Sequence, residues 1–122
     1  MVFSTLQCSK LPTYQRYFKK KLAELGYTQI EGFGGLYDQA AELRQDLDRN
    51  GLTMPTGHFG FDMLNNQVDD AMRIIETLGV ETVICPYLAL ELCLADVEGW
   101  KKMADILNEA GKPYLDNGVG FG

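Results

Sequence analysis

Short apolar, β-branched runs alternate along this chain with longer stretches in which apolar residues recur every three or four positions. The short runs, Val2–Gln7, Thr28–Phe33, Leu52–Gly60 and Val80–Tyr87, read as strands. A further run opens at Val119-Gly120-Phe121, just before Gly122. The longer stretches read as helices. In the first, Pro12 suits the opening turn, Tyr14, Tyr17, Phe18, Leu22 and Leu25 make one apolar stripe, and Gly26 is the C-terminal cap. The second is predicted over Asp38–Asn50, with Asp38 as N-cap, Ala41, Leu43 and Leu47 inward, and Gly51 as its end. The third covers Asn66–Leu78, with Val68, Ala71, Met72, Ile75 and Leu78 inward and Gly79 as the stop. The fourth starts at Asp96 with Trp100, Met103, Ile106 and Leu107 on its buried side. Gly111 and Pro113 then end it near Ala110 or kink it on the way to Asn117.

Strand starts near residues 2, 28, 53 and 81, each preceded after the first by a helix-ending glycine at 26, 51 or 79, make a supersecondary repeat. Strands alternating with helices imply a parallel sheet with right-handed crossovers. Two architectures share that rhythm: the parallel (βα)8 barrel and the open, doubly wound flavodoxin-like sheet. A full barrel takes about 250 residues and eight units. This chain has 122. The expected fold is therefore α/β: half of a (βα)8 TIM barrel, four βα units plus the start of a fifth strand, with residues 1–122 as a single half-barrel domain.

Composition narrows the function classes. The net charge of −6 offers no Lys/Arg surface for phosphate neutralisation, which argues against a nucleic-acid partner. The one basic cluster, Lys19-Lys20-Lys21, is expected on the solvated face of the first helix. No apolar run approaches the ~20 residues of a membrane span, and the N-terminus lacks the pattern of a signal peptide. Cytoplasmic residence follows as the expectation. Cys8, Cys85 and Cys93 are odd in number and lack CxxC spacing, which favours reduced thiols. With His58 as the sole histidine, zinc is poorly supported.

In either architecture, chemistry sits at the C-terminal ends of the strands. Gln7, Glu31, His58 and Tyr87 fall there. Glu31 interrupts an apolar strand, where a carboxylate is costly unless it is paired or bound. It reads either as a general base or polyol partner, or as a strand-end residue in water. His58, between Gly57 and Gly60, is the natural acid/base candidate, against an ordinary structural role. Tyr87 opens the fourth β/α loop and reads as ligand-lining or as packing. Gly32-Phe33-Gly34-Gly35 fits no phosphate-loop pattern and reads as a turn. Asp62, Asp69, Asp70 and Asp96 suit helix starts.

The stretches Leu25-Gly26-Tyr27-Thr28-Gln29-Ile30-Glu31-Gly32 and Gly51-Leu52-Thr53-Met54-Pro55-Thr56-Gly57-His58 resemble the second and third strands of the sugar phosphate isomerase/epimerase family, the xylose-isomerase-like TIM barrels. The spacing through Leu78-Gly79-Val80-Glu81-Thr82-Val83-Ile84 and from Trp100 to Gly122 is similar too. The resemblance covers nearly the whole chain but only the N-terminal half of that fold. It implies metal-assisted proton transfer on a sugar, with the metal ligands on strands five to eight. A divalent metal is thus expected only in full-length relatives, with no cofactor and no catalytic residue in this chain. Glu31, His58 and Tyr87 carry over as substrate-binding residues. Phe3-Ser4-Thr5-Leu6-Gln7-Cys8 departs from the family's aromatic-rich first strand.

The expected function is the N-terminal half of such an isomerase, inactive alone. The alternatives are a non-catalytic oligomeric half-barrel module, truncated or designed, and a small flavodoxin-like binding domain. A half barrel is expected to expose two sheet edges and an apolar inner face. Its expected partners are a second copy of itself in a homodimer, or a complementary half barrel, with a small sugar as ligand.

Overall fold

The computed structural model describes residues 12–88 and 96–122, with side chains from residue 17 onward. The predicted first strand, Gln7, Cys8 and Cys93 lie outside the described residues. The order is α1 (Pro12–Glu24), β1 (Gln29–Gly32), a 3-10 helix (Gly34–Gln39), α2 (Ala40–Arg49), β2 (Thr53–His58), α3 (Phe61–Asn66), α4 (Val68–Leu78), β3 (Thr82–Ile84), α5 (Val97–Asp116) and β4 (Gly120–Phe121).

The four strands pair in parallel and in chain order, β1-β2-β3-β4. The pairing of β1 with β2 decides between the two architectures. Counting the predicted strand at Val2–Gln7 as the first, a flavodoxin-like sheet inserts it between the next two and reverses the winding. A barrel wall keeps neighbours in sequence. The chain does the latter, so the flavodoxin-like alternative falls.

One register row runs Glu31↔Thr56↔Thr82↔Gly120 and the next Gly32↔Gly57↔Val83↔Phe121. The register slips between Gln29 and Glu31, where β2 carries an extra residue beside Pro55. That is a bulge, the place where a sheet tolerates a proline. Because of the slip, Met54 and Gly57 sit on the same face: a Cβ on Gly32 would meet both Met54 and the Tyr37 that also bounds Gly57.

The two faces of the sheet differ. Ile30, Met54, Phe59 and Val83 are buried under the helices, in one cluster with Leu22, Leu43, Leu47, Leu64, Ile75, Leu78 and Tyr114. The other face carries Glu31, Thr56, His58, Thr82 and Ile84, all half-buried. Where an apolar inner face was expected, the uncovered face is largely polar. The buried apolar residues of the strands, Ile30, Met54 and Val83, lie on the helix side.

The helices follow the hydrophobic stripes, with corrections. Val68, Ala71, Met72, Ile75 and Leu78 do face inward on α4, and Gly79 ends it with φ 73° as a left-handed cap. The helix expected over Asn66–Leu78 is α4, starting at Val68, and a short helix that was not expected, α3, ends just before it at Asn66 with Gln67 between them. Asp38 is not an N-cap; it lies inside the 3-10 helix, α2 begins at Ala40, and Ala41 is exposed. On α1, Leu22 is buried and Phe18 packs against the core, but Tyr17 is exposed, as is Leu25 just past the helix end.

Lys19 also departs from expectation. It is 6% exposed and sits 3.3 Å from the buried Asp46, which Arg49 also reaches at 3.2 Å. Its aliphatic stem packs while the ammonium meets a carboxylate. Asp96 is the N-cap of α5, accepting the Gly99 N–H at 2.9 Å. That helix runs unbroken through Gly111 and Pro113 to Asp116. Met103, Ala110, Gly111 and Tyr114 form its buried side, while Trp100 and Ile106 are exposed. Among the described residues, no helix is long and apolar enough to cross a membrane.

Candidate functional site

Glu31 ends an odd-even alternation in β1 that buries Ile30 and Gly32 on the helix side and turns the carboxylate to the open face. His58 closes β2 on the same face. Because the strands are parallel and neighbouring, both reach the C-terminal edge together. His58 Nε2 lies 3.0 Å from Glu31 Oε1, and the Thr56 hydroxyl donates to Glu31 Oε2 at 2.8 Å. The Glu31 side chain is 15% exposed and that of His58 34%. Both carboxylate oxygens therefore have a partner, which offsets the cost of desolvating the charge.

Behind this pair stands Tyr37, from the 3-10 helix. Gly32 follows Glu31 and Gly57 precedes His58, and these two glycines are partners in register. A Cβ would lie 2.8 Å from the Tyr37 hydroxyl at Gly32 and 2.6 Å from it at Gly57, so both positions need a bare backbone. The Tyr37 ring stacks on Phe59 with centroids 4.5 Å apart. Its hydroxyl is buried without a hydrogen-bond partner among the described residues. Burial, and then the negative charge of Glu31, hold the phenol far above its ordinary range.

Tyr87 is not drawn into this cluster. It follows β3 at the same edge and is 84% exposed, and its carbonyl accepts the Cys85 thiol at 3.5 Å. Burial pushes the Cys85 thiol up from its ordinary value, which keeps it a thiol and a poor nucleophile. Thr56 and Tyr37 were not among the expected site residues. The signal for Thr56 was its place two residues before His58 on an alternating strand. The signal for Tyr37 was the pair of glycines that leaves room for a ring.

The described residues contain no group of three His, Cys, Asp or Glu able to hold a metal ion. Glu31 and His58 are two donors engaged with each other. Among the described residues these two donors are fewer than a divalent metal centre needs.

Two solved structures share this fold. A sugar phosphate isomerase/epimerase from Parabacteroides distasonis superposes with a TM-score of 0.75 at 20% identity, over 99% of this chain and 49% of that one. An AP endonuclease, family 2, from Brucella melitensis superposes with a TM-score of 0.71 at 14% identity, over 98% and 53%. The fold is half of a (βα)8 TIM barrel. The half barrel spans about half the length of both structures. No protein-family profile matches the chain, and no curated protein matches it in sequence. At this identity the likeness establishes the half-barrel fold, and what the chain does rests on its own site.

Proposed function

We propose that the chain supplies the substrate-facing half of a sugar or sugar phosphate isomerase/epimerase site, and that it needs a complementary half to turn over. The observation that carries this reading is the 3.0 Å contact between Glu31 and His58 at the C-terminal edge of adjacent parallel strands. With its Nε2–H given to the carboxylate, the imidazole offers Nδ1 as an acceptor. That nitrogen can hold a sugar hydroxyl or take its proton, and Glu31 stabilises the imidazolium that results. Tyr87 is available at the same edge to cover a bound sugar. Cytoplasmic residence belongs to the same proposal, and the free thiol of Cys85 suits it.

Saturation-transfer NMR with a panel of aldoses, ketoses and their phosphate esters tests the reading. At least one sugar is expected to receive magnetisation from the protein, and the signal is expected to vanish in a Glu31→Ala, His58→Ala double variant. Silence across the panel with a folded protein would sink the reading.

A second reading, a non-catalytic half-barrel module that pairs with another copy, draws support from α5. Val97, Trp100 and Leu115 are 69%, 54% and 58% exposed. At helical spacing they share one flank, on the side of the helix where Gly111 meets Phe121 of β4. An apolar helix flank beside an edge strand is a natural surface for association.

A further inference from the structure

The hydrogen-bonding inventory of the Glu31 site restricts what it can hold. The carboxylate only accepts hydrogen bonds. The Thr56 proton is already given to Glu31 Oε2, and the His58 Nε2–H points at Oε1. Among these three side chains, what remains for a ligand is acceptors: the outer lone pairs of Glu31, the Thr56 oxygen and His58 Nδ1. A ligand must therefore bring donors. Sugar hydroxyls do; a phosphate dianion offers only acceptors.

Charge points the same way. In a βα repeat the helix N-termini lie at the edge where the strands end. Along that rim stand Asp38 in the 3-10 helix, Asp62 in the first turn of α3, Asp96 at the cap of α5 and Glu98 in its first turn. The described cations sit elsewhere or are already paired. Lys19 and Arg49 meet Asp46, and Arg44 binds Asp48 and the Leu78 carbonyl at the far end of α4. On α5, Lys101 pairs with Glu98, and Lys102 projects into solvent. Among the described residues, a phosphate at this rim would meet more carboxylates than cations.

We propose that the ligand portion held by Glu31, Thr56 and His58 is the uncharged polyol end of a sugar, and that a phosphate monoester is rejected there. This rests on the sugar-binding reading above and narrows its substrate class. The two can fail separately. His58 is the sole histidine, so its imidazole NMR signals report on this site alone. The probes are D-fructose and its terminal phosphate monoester, titrated separately at low salt. Fructose is expected to move the His58 signals saturably, with the ester about tenfold weaker. The gap is expected to narrow as salt is added. It is also expected to narrow in Glu31→Gln, whose amide can donate to phosphate and carries no charge. An ester that binds as tightly as fructose or more tightly overturns the polyol assignment and leaves the sugar site standing. Unmoved His58 signals with both probes, in a protein whose circular dichroism shows it folded, overturn the sugar site and the assignment with it.

Discussion

Tyr37 combines two features that ordinarily exclude each other: a fully packed ring and a buried hydroxyl with no partner among the described residues. Leaving such a group unsatisfied costs about 1–3 kcal/mol. Tyr37→Phe keeps the Phe59 stack and removes the orphan oxygen, so it is expected to stabilise the fold by roughly 1 kcal/mol. The midpoint of urea unfolding should rise at unchanged slope; a fall would mean the hydroxyl has a partner in solution. Tyr114 is the contrasting case, because its hydroxyl donates to the Leu64 carbonyl at 2.8 Å and its ring is fully buried. Burial pushes this phenol up to about 12 from an ordinary 10. The folded state thus favours the neutral phenol. The stability this contributes is complete below pH 10, and it is lost as pH rises from there through about 12. Of the six tyrosines, Tyr37 and Tyr114 are expected to show phenolate absorbance last, together with loss of the far-ultraviolet circular dichroism. All six ionising in one wave from a folded protein would contradict this. Glu31 and His58 were legible in the sequence because each is a polar residue where its strand should be apolar. Thr56 and Tyr37 were not singled out, because the alternation and the glycine pair that mark them become a site only once register and a chain reversal bring them to Glu31.

Among the elements, α5 shows how tertiary contacts override local propensity. Gly111 and Pro113 each weaken a helix, Pro113 by removing an N–H and crowding the carbonyl four residues back. The helix persists because its last turns are anchored on both sides of Pro113. Gly111 lies against Phe121, and Tyr114 is held by Leu64 and stacks on Phe121 at 5.8 Å. The glycine is required by space, since a Cβ would lie 2.9 Å from the Phe121 ring. Gly111→Ala gains about 1 kcal/mol of helix propensity. It is nonetheless expected to destabilise by roughly 1–2 kcal/mol net, because overpacking forces β4 away. A thermal melt decides, and a raised midpoint would show that Phe121 moves freely. The boundary at Gln67 was hidden for a related reason. Asn66 and Gln67 both reach back to Asp62, at 2.7 and 3.1 Å, and these side-chain bonds close one short helix before the next begins.

For the whole molecule, the pairing of β1 with β2 excluded the doubly wound sheet, and the half-buried row Glu31, Thr56, Thr82 replaced an expected apolar inner face with a polar one. Association, if it occurs, is therefore expected through the α5 flank and the β4 edge rather than through the open face. Light scattering over a range of concentrations should give a species near twice 13.7 kDa. Trp100, the sole tryptophan, should shift its emission to the blue as that species forms. A monomer throughout, with invariant emission, would rule out self-pairing. The alternation of strands and helices, the glycine stops, the Asp96 cap and the chemical identity of Glu31 and His58 were determined by the sequence alone. Those are local matters: periodicity, capping and residue type act within a few positions. Which strands become neighbours, which face the helices cover, and that Glu31, Thr56 and His58 share one hydrogen-bonded cluster were decided only by the tertiary structure. The contacts involved join residues some 25 positions apart, and their register depends on a bulge beside Pro55 whose exact shift a proline inside a strand does not fix.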